Sequence, residues 1–273
     1  MATKGFAPAK INLTLHVTGQ REDGYHLLDS LVAFADVGDH LVFAPGPDLS
    51  ISVAGEHAAG VPTDAGNLVW KAAEATGWSG DIALDKVLPH GAGIGGGSSD
   101  AAAMLRHAQV QGFDIPSDLP VSLGADIPAC MLAKAARMRG IGEQVAAMNL
   151  PELPALLVNP GVEVPTGAVF EAMKTRQNPQ MPDDVPAFEG VAECAKWLSA
   201  QRNDLESPAI DIAPEIGRVL DELAATRDVL LARMSGSGST CFALYPSMKA
   251  AHFAAYEIGA AHPDWWCRAT LLS

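Results

Sequence analysis

The chain has few cysteines, and their spacing argues against two common uses of this residue. Its 273 residues include four cysteines, and these form no C-x-x-C pair and no Cys/His cluster. They lie at Cys130, Cys194, Cys241 and Cys267. A structural zinc site needs closely spaced ligands, so the pattern argues against one. Scattered, reduced thiols are the expectation, which is typical of the cytoplasm.

Long apolar runs are also missing. No segment reaches the roughly 20 consecutive apolar residues that a membrane-spanning helix requires. The first six residues, MATKGF, lack the apolar core of a signal peptide. We therefore expect a cytoplasmic protein without a membrane partner.

Positive charge is scarce in this chain. It has 18 Lys and Arg residues against 32 Asp and Glu residues, a formal net charge of −14. This balance argues against a nucleic-acid partner or an anionic membrane surface. A phosphate ligand would have to find its positive charge locally, in a few lysines, backbone amides and a metal ion. We expect a small-molecule ligand and a chain that is a monomer or a weak homodimer.

Glycine, in contrast, is concentrated in the run PHGAGIGGGSSDAAA at residues 89–103. Glycines allow tight turns and close approach of a ligand to the backbone, and Ser98 or Ser99 is a suitable cap for a helix that begins at the alanines. Free amides at such a helix start bind anions, most often phosphate. A plain turn or linker is the alternative, but linkers rarely lead directly into a strong helix former. The predicted nucleotide-binding residues are Pro89, Gly91, Gly93, Ile94, Gly95, Gly96, Gly97, Ser98 and Ser99.

Two known kinds of phosphate loop can be compared with this run. A Walker loop needs a lysine after its last glycine, and Ser98 stands there instead. Gly91, Gly93 and Gly96 fit the dinucleotide pattern G-x-G-x-x-G. That pattern also requires an acidic residue at the end of the next strand, and Asp114 lies in a predicted turn. Dinucleotide binding is therefore the second choice.

The organisation of the chain suggests two domains. Residues 6–17 alternate between apolar and polar side chains, which predicts a strand with one buried and one solvated face, with Lys10 and Asn12 on the solvated face. Two prolines within LPELP at 150–154 mark a boundary, giving domains 1–150 and 151–273. Further strands are predicted at 27–34, 40–43, 81–87, 155–159, 230–234, 240–245 and 266–271, and helices at 64–76, 98–111, 116–123, 166–174, 191–198, 215–225 and 247–259. Helices mixed with a few strands indicate an α+β second domain.

Three segments carry a family resemblance. In order and spacing, APAKINL at 7–13, the glycine run and SGSG at 235–238 resemble the three motifs of the GHMP kinase superfamily. GYH at 24–26 and GADIP at 124–128 narrow the resemblance to members that phosphorylate a cytidine diphosphate substrate in non-mevalonate isoprenoid precursor biosynthesis. The resemblance extends from Phe6 to about Tyr245.

The resemblance implies a fold and a reaction. It implies the α+β, two-domain GHMP kinase fold, with an N-terminal domain like domain 2 of ribosomal protein S5 and a ferredoxin-like C-terminal domain. ATP and Mg²⁺ would be the cofactors, and the γ-phosphoryl group would pass to a tertiary hydroxyl of the substrate in a cleft between the domains. Another GHMP alcohol kinase, or a nucleotide- or NAD-binding protein without kinase activity, remains open as an alternative.

The resemblance also implies roles for the two residues assigned to catalysis. Asp126 would take the proton of the attacking hydroxyl, and Lys10 would keep it ionised. Without the resemblance, Asp126 would be interpreted as a turn-capping residue before Pro128. Asn12, two positions after Lys10, would bind the substrate or the base.

Further residues are implied for recognition of the cytosine. Tyr25 would stack on the ring and His26 would hydrogen-bond its polar edge. Phe170 would close the other side, or else be an ordinary core aromatic. Asp100, in the first turn of the loop helix, would repel phosphate unless it turned away or acted through Mg²⁺, so the metal ligands stay open.

One departure from the family pattern concerns the segment after Leu132. A Gly-Gly pair or a similar small turn is expected there, and the chain has AKAA at 133–136. The local turn therefore departs from the family pattern, and none of the residues assigned to chemistry lies in it.

Overall fold

The computed structural model describes residues 2–273, which form two compact units. The first unit contains the described residues up to Lys10, together with Val37–His90 and Gly95–Ala133. The second contains Ile11–Asp36, Gly91–Ile94 and Lys134–Ser273. The chain therefore passes several times from one unit to the other, and the domain boundary near residue 150 stays a prediction.

The described chain contains eleven strands and nine helices. The strands are β1 (Thr3–Asn12), β2 (His16–Gln20), β3 (His26–Pro45), β4 (Ser50–Ala54), β5 (Gly80–Asp85), β6 (Ala136–Gly140), β7 (Gln144–Ala147), β8 (Leu153–Asn159), β9 (Leu231–Met234), β10 (Cys241–Leu244) and β11 (Trp266–Leu272). The helices are α1 (Leu68–Thr76), α2 (Gly96–Val110), α3 (Leu119–Leu123), α4 (Ile127–Leu132), α5 (Thr166–Ala172), α6 (Val191–Ser199), α7 (Glu206–Ile212), α8 (Glu215–Ala225) and α9 (Met248–Ala261). Within residues 2–273, no helix has both the length and the apolar character that a membrane crossing would require.

The first unit combines strands with the four helices α1 to α4. β5 pairs antiparallel with the second half of β3 and parallel with β4. α1 packs on α2, and it begins where the Asn67 side chain accepts a hydrogen bond from the Val69 amide. Gly77 ends α1 in the left-handed conformation at φ 73°. The buried apolar side chains of α1 and β5 build the core of this unit.

The second unit contains mostly antiparallel strands. β3 pairs in its first half with β2 and β6, while β8 lies between β10 and β11. Apolar side chains of β2, β8, β10 and α7–α9 form one core, which includes Leu15, Val17, Leu156 and Ile216. Helices and largely antiparallel strands confirm the predicted α+β class.

The polar face predicted for residues 6–17 is not solvated, so this part of the prediction is wrong. β1 ends at Asn12, and Lys10, Asn12, Thr14 and His16 are all buried. Each polar side chain has a partner in the protein, as when the Asn12 amide nitrogen donates to the Ser30 hydroxyl at 2.8 Å. Alternation of apolar and polar residues shows that a strand has two different faces, but it does not show that the polar face is exposed to solvent.

The strands predicted at 27–34 and 40–43 are one continuous strand, β3. The intervening segment includes Gly38, where an added Cβ would lie 2.3 Å from the carbonyl oxygen of Ala7. Glycine at this position therefore lets β1 and β3 approach closely, and the strand continues through the segment between the two predicted strands.

Candidate active site

The segment SGSG at 235–238 packs against the first part of the glycine run, Gly91–Ile94, within the second unit. The Ser235 hydroxyl donates to the Gly93 carbonyl at 3.1 Å, and the Thr240 amide donates to the Ala92 carbonyl at 3.1 Å. Gly93 has φ 72°, and a Cβ there would lie 2.6 Å from the carbonyl oxygens of Ser235 and Gly238. Only glycine fits this contact, so the two glycine segments of the sequence form one packed structure.

The second part of the glycine run starts helix α2 within the first unit. Gly95 is the N-cap residue at φ 65°, and no side chain caps the helix. The predicted capping by Ser98 or Ser99 is wrong, because the left-handed glycine starts the helix at Gly96 and the Ser99 amide already donates to the Gly95 carbonyl at 2.8 Å. The amides of Gly96–Ser98 therefore stay free for an anion.

The other predicted loop residues differ in exposure. Pro89 and Ile94 are buried, Gly91 and Gly97 are exposed, and Ser98 is half-buried. The exposed backbone suits contact with a ligand, whereas Pro89 and Ile94 lie in the protein interior.

A buried ion cluster lies below this helix start. The Lys86 ammonium contacts a carboxylate oxygen of Asp39 and one of Asp100, the latter at 2.8 Å. The other Asp39 oxygen accepts from the amides of Val87 and Leu88 at 2.7 and 2.8 Å. Asp100 thus turns into the protein, and the cluster connects the segment that enters the glycine run to the helix that leaves it.

The charges in this cluster are strongly coupled. Burial raises the pKa of Asp100 to about 7, a change that the Asp39 carboxylate reinforces and Lys86 opposes. Burial disfavours the charged form of Lys86, but the carboxylates of Asp100 and Asp39 outweigh it and raise the lysine pKa. Sequence reasoning missed Asp39 and Lys86. A signal existed, since Lys86 continues the alternating buried positions of Ile82 and Leu84.

Lys10 and Asp126 form a separate ion pair of the first unit. The Lys10 ammonium lies 2.6 Å from Asp126 Oδ1, and the lysine side chain is 4% exposed against 37% for the aspartate. Asp126 occupies the N-cap position of α4, but its side chain makes no capping hydrogen bond. Its carboxylate is therefore directed to Lys10 and remains open to solvent on one side. A Cβ at Gly95 would lie 3.2 Å from the Lys10 Cβ, so the glycine run closely approaches this lysine.

Asn12 offers one free acceptor. Its Nδ2 donates to Ser30 and its backbone amide donates to the Ser235 hydroxyl at 3.0 Å. Its Oδ1 is buried and has no partner among the described residues. A buried acceptor without a donor is costly, so it indicates a ligand that supplies a hydroxyl or amine.

Aromatic rings gather at the start of β3 in the second unit. The rings of His26 and Phe170 stack at 4.3 Å between centroids and 15° between planes. Tyr25, the neighbour of His26, is 58% exposed. Burial lowers the pKa of His26, and the charge of Arg176 lowers it further, which favours the neutral imidazole. His26 Nε2 has no partner among the described residues, so a polar group of a base can bind there. Phe170 also packs against the core, which agrees with its interpretation as a core aromatic, and its contact with a cytosine stays a prediction.

Known proteins resemble this chain over nearly its whole length. The family description "GHMP kinases N terminal domain" matches residues 67–148, and "GHMP kinases C terminal" matches residues 185–264. The 4-diphosphocytidyl-2-C-methyl-D-erythritol kinase of Dinoroseobacter shibae is 58% identical over 271 residues, which cover 98% of this chain and 94% of the relative. A protein of the same name from Cereibacter sphaeroides is 53% identical, covering 97% of both chains. The chain belongs to the 4-diphosphocytidyl-2-C-methyl-D-erythritol kinase family.

Solved structures agree with membership of the 4-diphosphocytidyl-2-C-methyl-D-erythritol kinase family. A crystal structure of 4-(cytidine 5'-diphospho)-2C-methyl-D-erythritol kinase covers 99% of both chains at 34% identity and a TM-score of 0.79. A homoserine kinase from Cytophaga hutchinsonii, at 17% identity, covers 100% of this chain and 94% of its own with a TM-score of 0.65, and so shares the fold alone. The predicted two-domain GHMP kinase fold and the kinase class are confirmed, and the alternative of an NAD-binding protein without kinase activity is wrong. The roles of individual residues stay predictions.

Proposed function

We propose that the chain transfers the γ-phosphoryl group of ATP to the 2-hydroxyl of 4-(cytidine 5′-diphospho)-2-C-methyl-D-erythritol. The observation that carries the proposal is the 58% identity to a kinase of that name along 98% of this chain. The reaction is a step of non-mevalonate isoprenoid precursor biosynthesis. We assign it to the cytoplasm and to a monomer or weak homodimer.

The proton step belongs to Asp126. Its carboxylate takes the proton of the 2-hydroxyl, and the oxygen then attacks the γ-phosphorus while the bond to the β-phosphate oxygen breaks. The Lys10 ammonium, which contacts Asp126 at 2.6 Å, attracts the developing alkoxide. Asn12 Oδ1 accepts a hydrogen bond from the substrate and so fixes the direction of attack.

The glycine run fits a polyphosphate. The uncapped start of α2 and the left-handed Gly95 leave backbone amides and space where a Cβ would interfere. Among residues 2–273, no group of three His, Cys, Asp or Glu side chains could hold a metal ion. This donor set suits Mg²⁺ that is held chiefly by nucleotide phosphates. The Ser99 hydroxyl of the loop is buried without a partner among the described residues and would be a candidate ligand. Bound Mg²⁺ would neutralise phosphate charge.

Substrate choice belongs to the aromatic group of the second unit. Tyr25 stacks on the cytosine, neutral His26 hydrogen-bonds its polar edge through Nε2, and Phe170 supports the His26 ring. Mevalonate and homoserine offer no aromatic base for these side chains.

A coupled assay of ADP release tests the proposal with ATP–Mg²⁺ and a panel of alcohols. Turnover is expected with the cytidine diphosphate-linked methylerythritol and not with mevalonate or homoserine. If folded protein failed to phosphorylate the cytidyl substrate, or used mevalonate equally well, the proposal would be wrong.

A further inference from the structure

The side chain of Arg176 is a cation without a carboxylate partner beside the aromatic group. None of the ion pairs within 4.0 Å among the described residues includes it. Its Nε is buried without a hydrogen-bond partner, and its Nη2 donates only to the backbone carbonyl of Glu171 at 3.3 Å. In a chain with a net charge of −14, an arginine left without a carboxylate is available for an anionic ligand.

The position of Arg176 is fixed by the same elements that hold the aromatic rings. Glu171, which accepts its hydrogen bond, follows Phe170 on α5, and the Phe170 ring stacks on His26. Two residues further on, the Asn178 amide and side chain both donate to the Val17 carbonyl at 3.1 Å. Val17 lies on β2, the strand that pairs with β3 at His26. Arg176 is therefore held beside His26 from both sides, by α5 and by β2.

The electrostatic effect on His26 agrees with this placement. Burial is the largest cause that lowers the pKa of the His26 imidazole, and the positive charge of Arg176 is the second cause. Both side chains also present a buried nitrogen that lacks a partner among residues 2–273. A neutral imidazole and a guanidinium side by side match a ligand with a polar base and an adjacent anion.

We propose that Arg176 binds the diphosphate of the cytidine substrate and thereby selects cytidine diphosphates over uncharged cytidine compounds. This inference rests on the proposed function. A single ribose separates the base from the first phosphate, a span that an arginine side chain bridges. The planar guanidinium presents two parallel donors, which suits phosphate oxygens better than a single point charge does.

Calorimetric titration of the full chain with CDP, CMP and cytidine tests the inference without ATP. We expect Arg176→Gln to weaken CDP binding about tenfold, the loss of one charge-assisted contact, while cytidine affinity changes less than twofold. Arg176→Lys keeps the charge and should recover part of the loss. Arg227→Gln is the matched control, because Arg227 is 81% exposed and pairs with Asp228. In turnover, Arg176→Gln should raise the substrate KM about tenfold and leave kcat within twofold.

Two results would overturn the inference. One is an equal loss of CDP and cytidine affinity in Arg176→Gln, which would place the arginine on the base or in the fold. The other is a wild-type chain that binds CDP no better than cytidine, even if it phosphorylates the cytidyl alcohol. Conversely, Arg176-dependent preference for CDP in a chain without kinase activity would support the inference and overturn the proposed function.

Discussion

At the scale of single residues, Asp126 combines two features that an ordinary capping aspartate lacks. Its carboxylate leaves the helix amides of α4 uncapped, and it pairs with a lysine that is almost fully buried. A carboxylate fixed in this way, with one side open to solvent, can accept a proton from a bound hydroxyl.

Asp126→Asn is therefore expected to lower kcat by about 10²–10⁴-fold, the usual contribution of a general base, while nucleotide affinity stays within about twofold. Turnover by ADP release and titration with a non-hydrolysable ATP analogue measure the two quantities. Asp118→Asn is the matched control, since Asp118 is an exposed N-cap residue of α3 that also makes no capping bond. Loss of turnover and nucleotide affinity in equal measure would show that Asp126 shapes the site and is not the base.

Asp100 gives the cluster below the glycine run a dependence on pH. With a folded pKa of about 7 against an ordinary 3.8, the folded chain holds a proton there that the unfolded chain has released. The stability due to this proton is complete below about pH 4 and is lost as the pH rises through about 7. The free energy of unfolding should thus fall by up to about 1.4 kcal/mol per pH unit within this window.

Asp100→Asn should remove this dependence, because Lys86 then faces one carboxylate and the cluster is neutral at every pH in the window. Urea unfolding from pH 5 to pH 8 measures the difference between wild type and variant. Parallel stability profiles for the two proteins would contradict the shifted pKa.

Sequence reasoning identified residues whose neighbours in the chain carried a motif, and it missed those that act through the fold. Lys10 and Asp126 stand within family motifs, and the structure brings them to 2.6 Å. Asp39 is one of three aspartates in β3, and no local motif distinguishes it. Nothing nearby in the sequence shows that its carboxylate accepts hydrogen bonds from two backbone amides and from a lysine 47 residues away. The alternation of buried positions along β5 predicts that Lys86 is buried. Because lysine is rarely buried, sequence reasoning does not single it out.

At the scale of elements, the departure after Leu132 has a structural counterpart. Ala133 ends α4 in the left-handed conformation at φ 48°, although it has a Cβ. A glycine was expected here from the family pattern, and the backbone has kept the conformation that glycine favours.

Ala133→Gly is expected to stabilise the chain by about 0.5–1 kcal/mol, because relief of left-handed strain exceeds the added flexibility of the unfolded state. Thermal and urea unfolding measure the effect, and kcat should not change. Ala225→Gly is the control, since Ala225 is the last helical residue of α8 and should lose stability. Destabilisation by both substitutions would contradict the strain at Ala133.

Helices and strands could be predicted from the sequence where a regular hydrophobic pattern extends over many residues. The helix predicted at 215–225 coincides with α8, whereas α2 starts two residues before the predicted start because Gly95 replaces a serine cap. The single strand β3 was predicted as two strands, and Gly38 between them allows close packing against β1 in the fold. Contacts between residues far apart in the sequence determine both the start of α2 and the continuity of β3. A short stretch of sequence does not reveal such contacts.

At the scale of the whole molecule, the chain order and the compact units do not coincide. Ile11–Asp36 belongs to the second unit, yet most of that unit follows residue 134. Leu15 and Val17 pack in a core with Leu156 and Val158. The Leu15 amide donates to the Arg202 carbonyl at 2.9 Å. These early residues therefore depend on the far end of the chain for both apolar cover and hydrogen bonds.

A chain cut at the predicted boundary should not give two independently folded halves. In a fragment of residues 1–150, the amide of Leu15 loses the Arg202 carbonyl and that of Val17 loses the Asp204 carboxylate, which accepts from it at 2.7 Å in the full chain. Both amides should exchange with deuterium rapidly in the fragment, and they should become protected when residues 151–273 are added, because the missing partners and the core return together. The Leu84 amide, on a strand wholly within the first unit, is the internal control. Strong protection of Leu15 and Val17 in the fragment alone would mean that the first 150 residues fold without the partners seen in the structure.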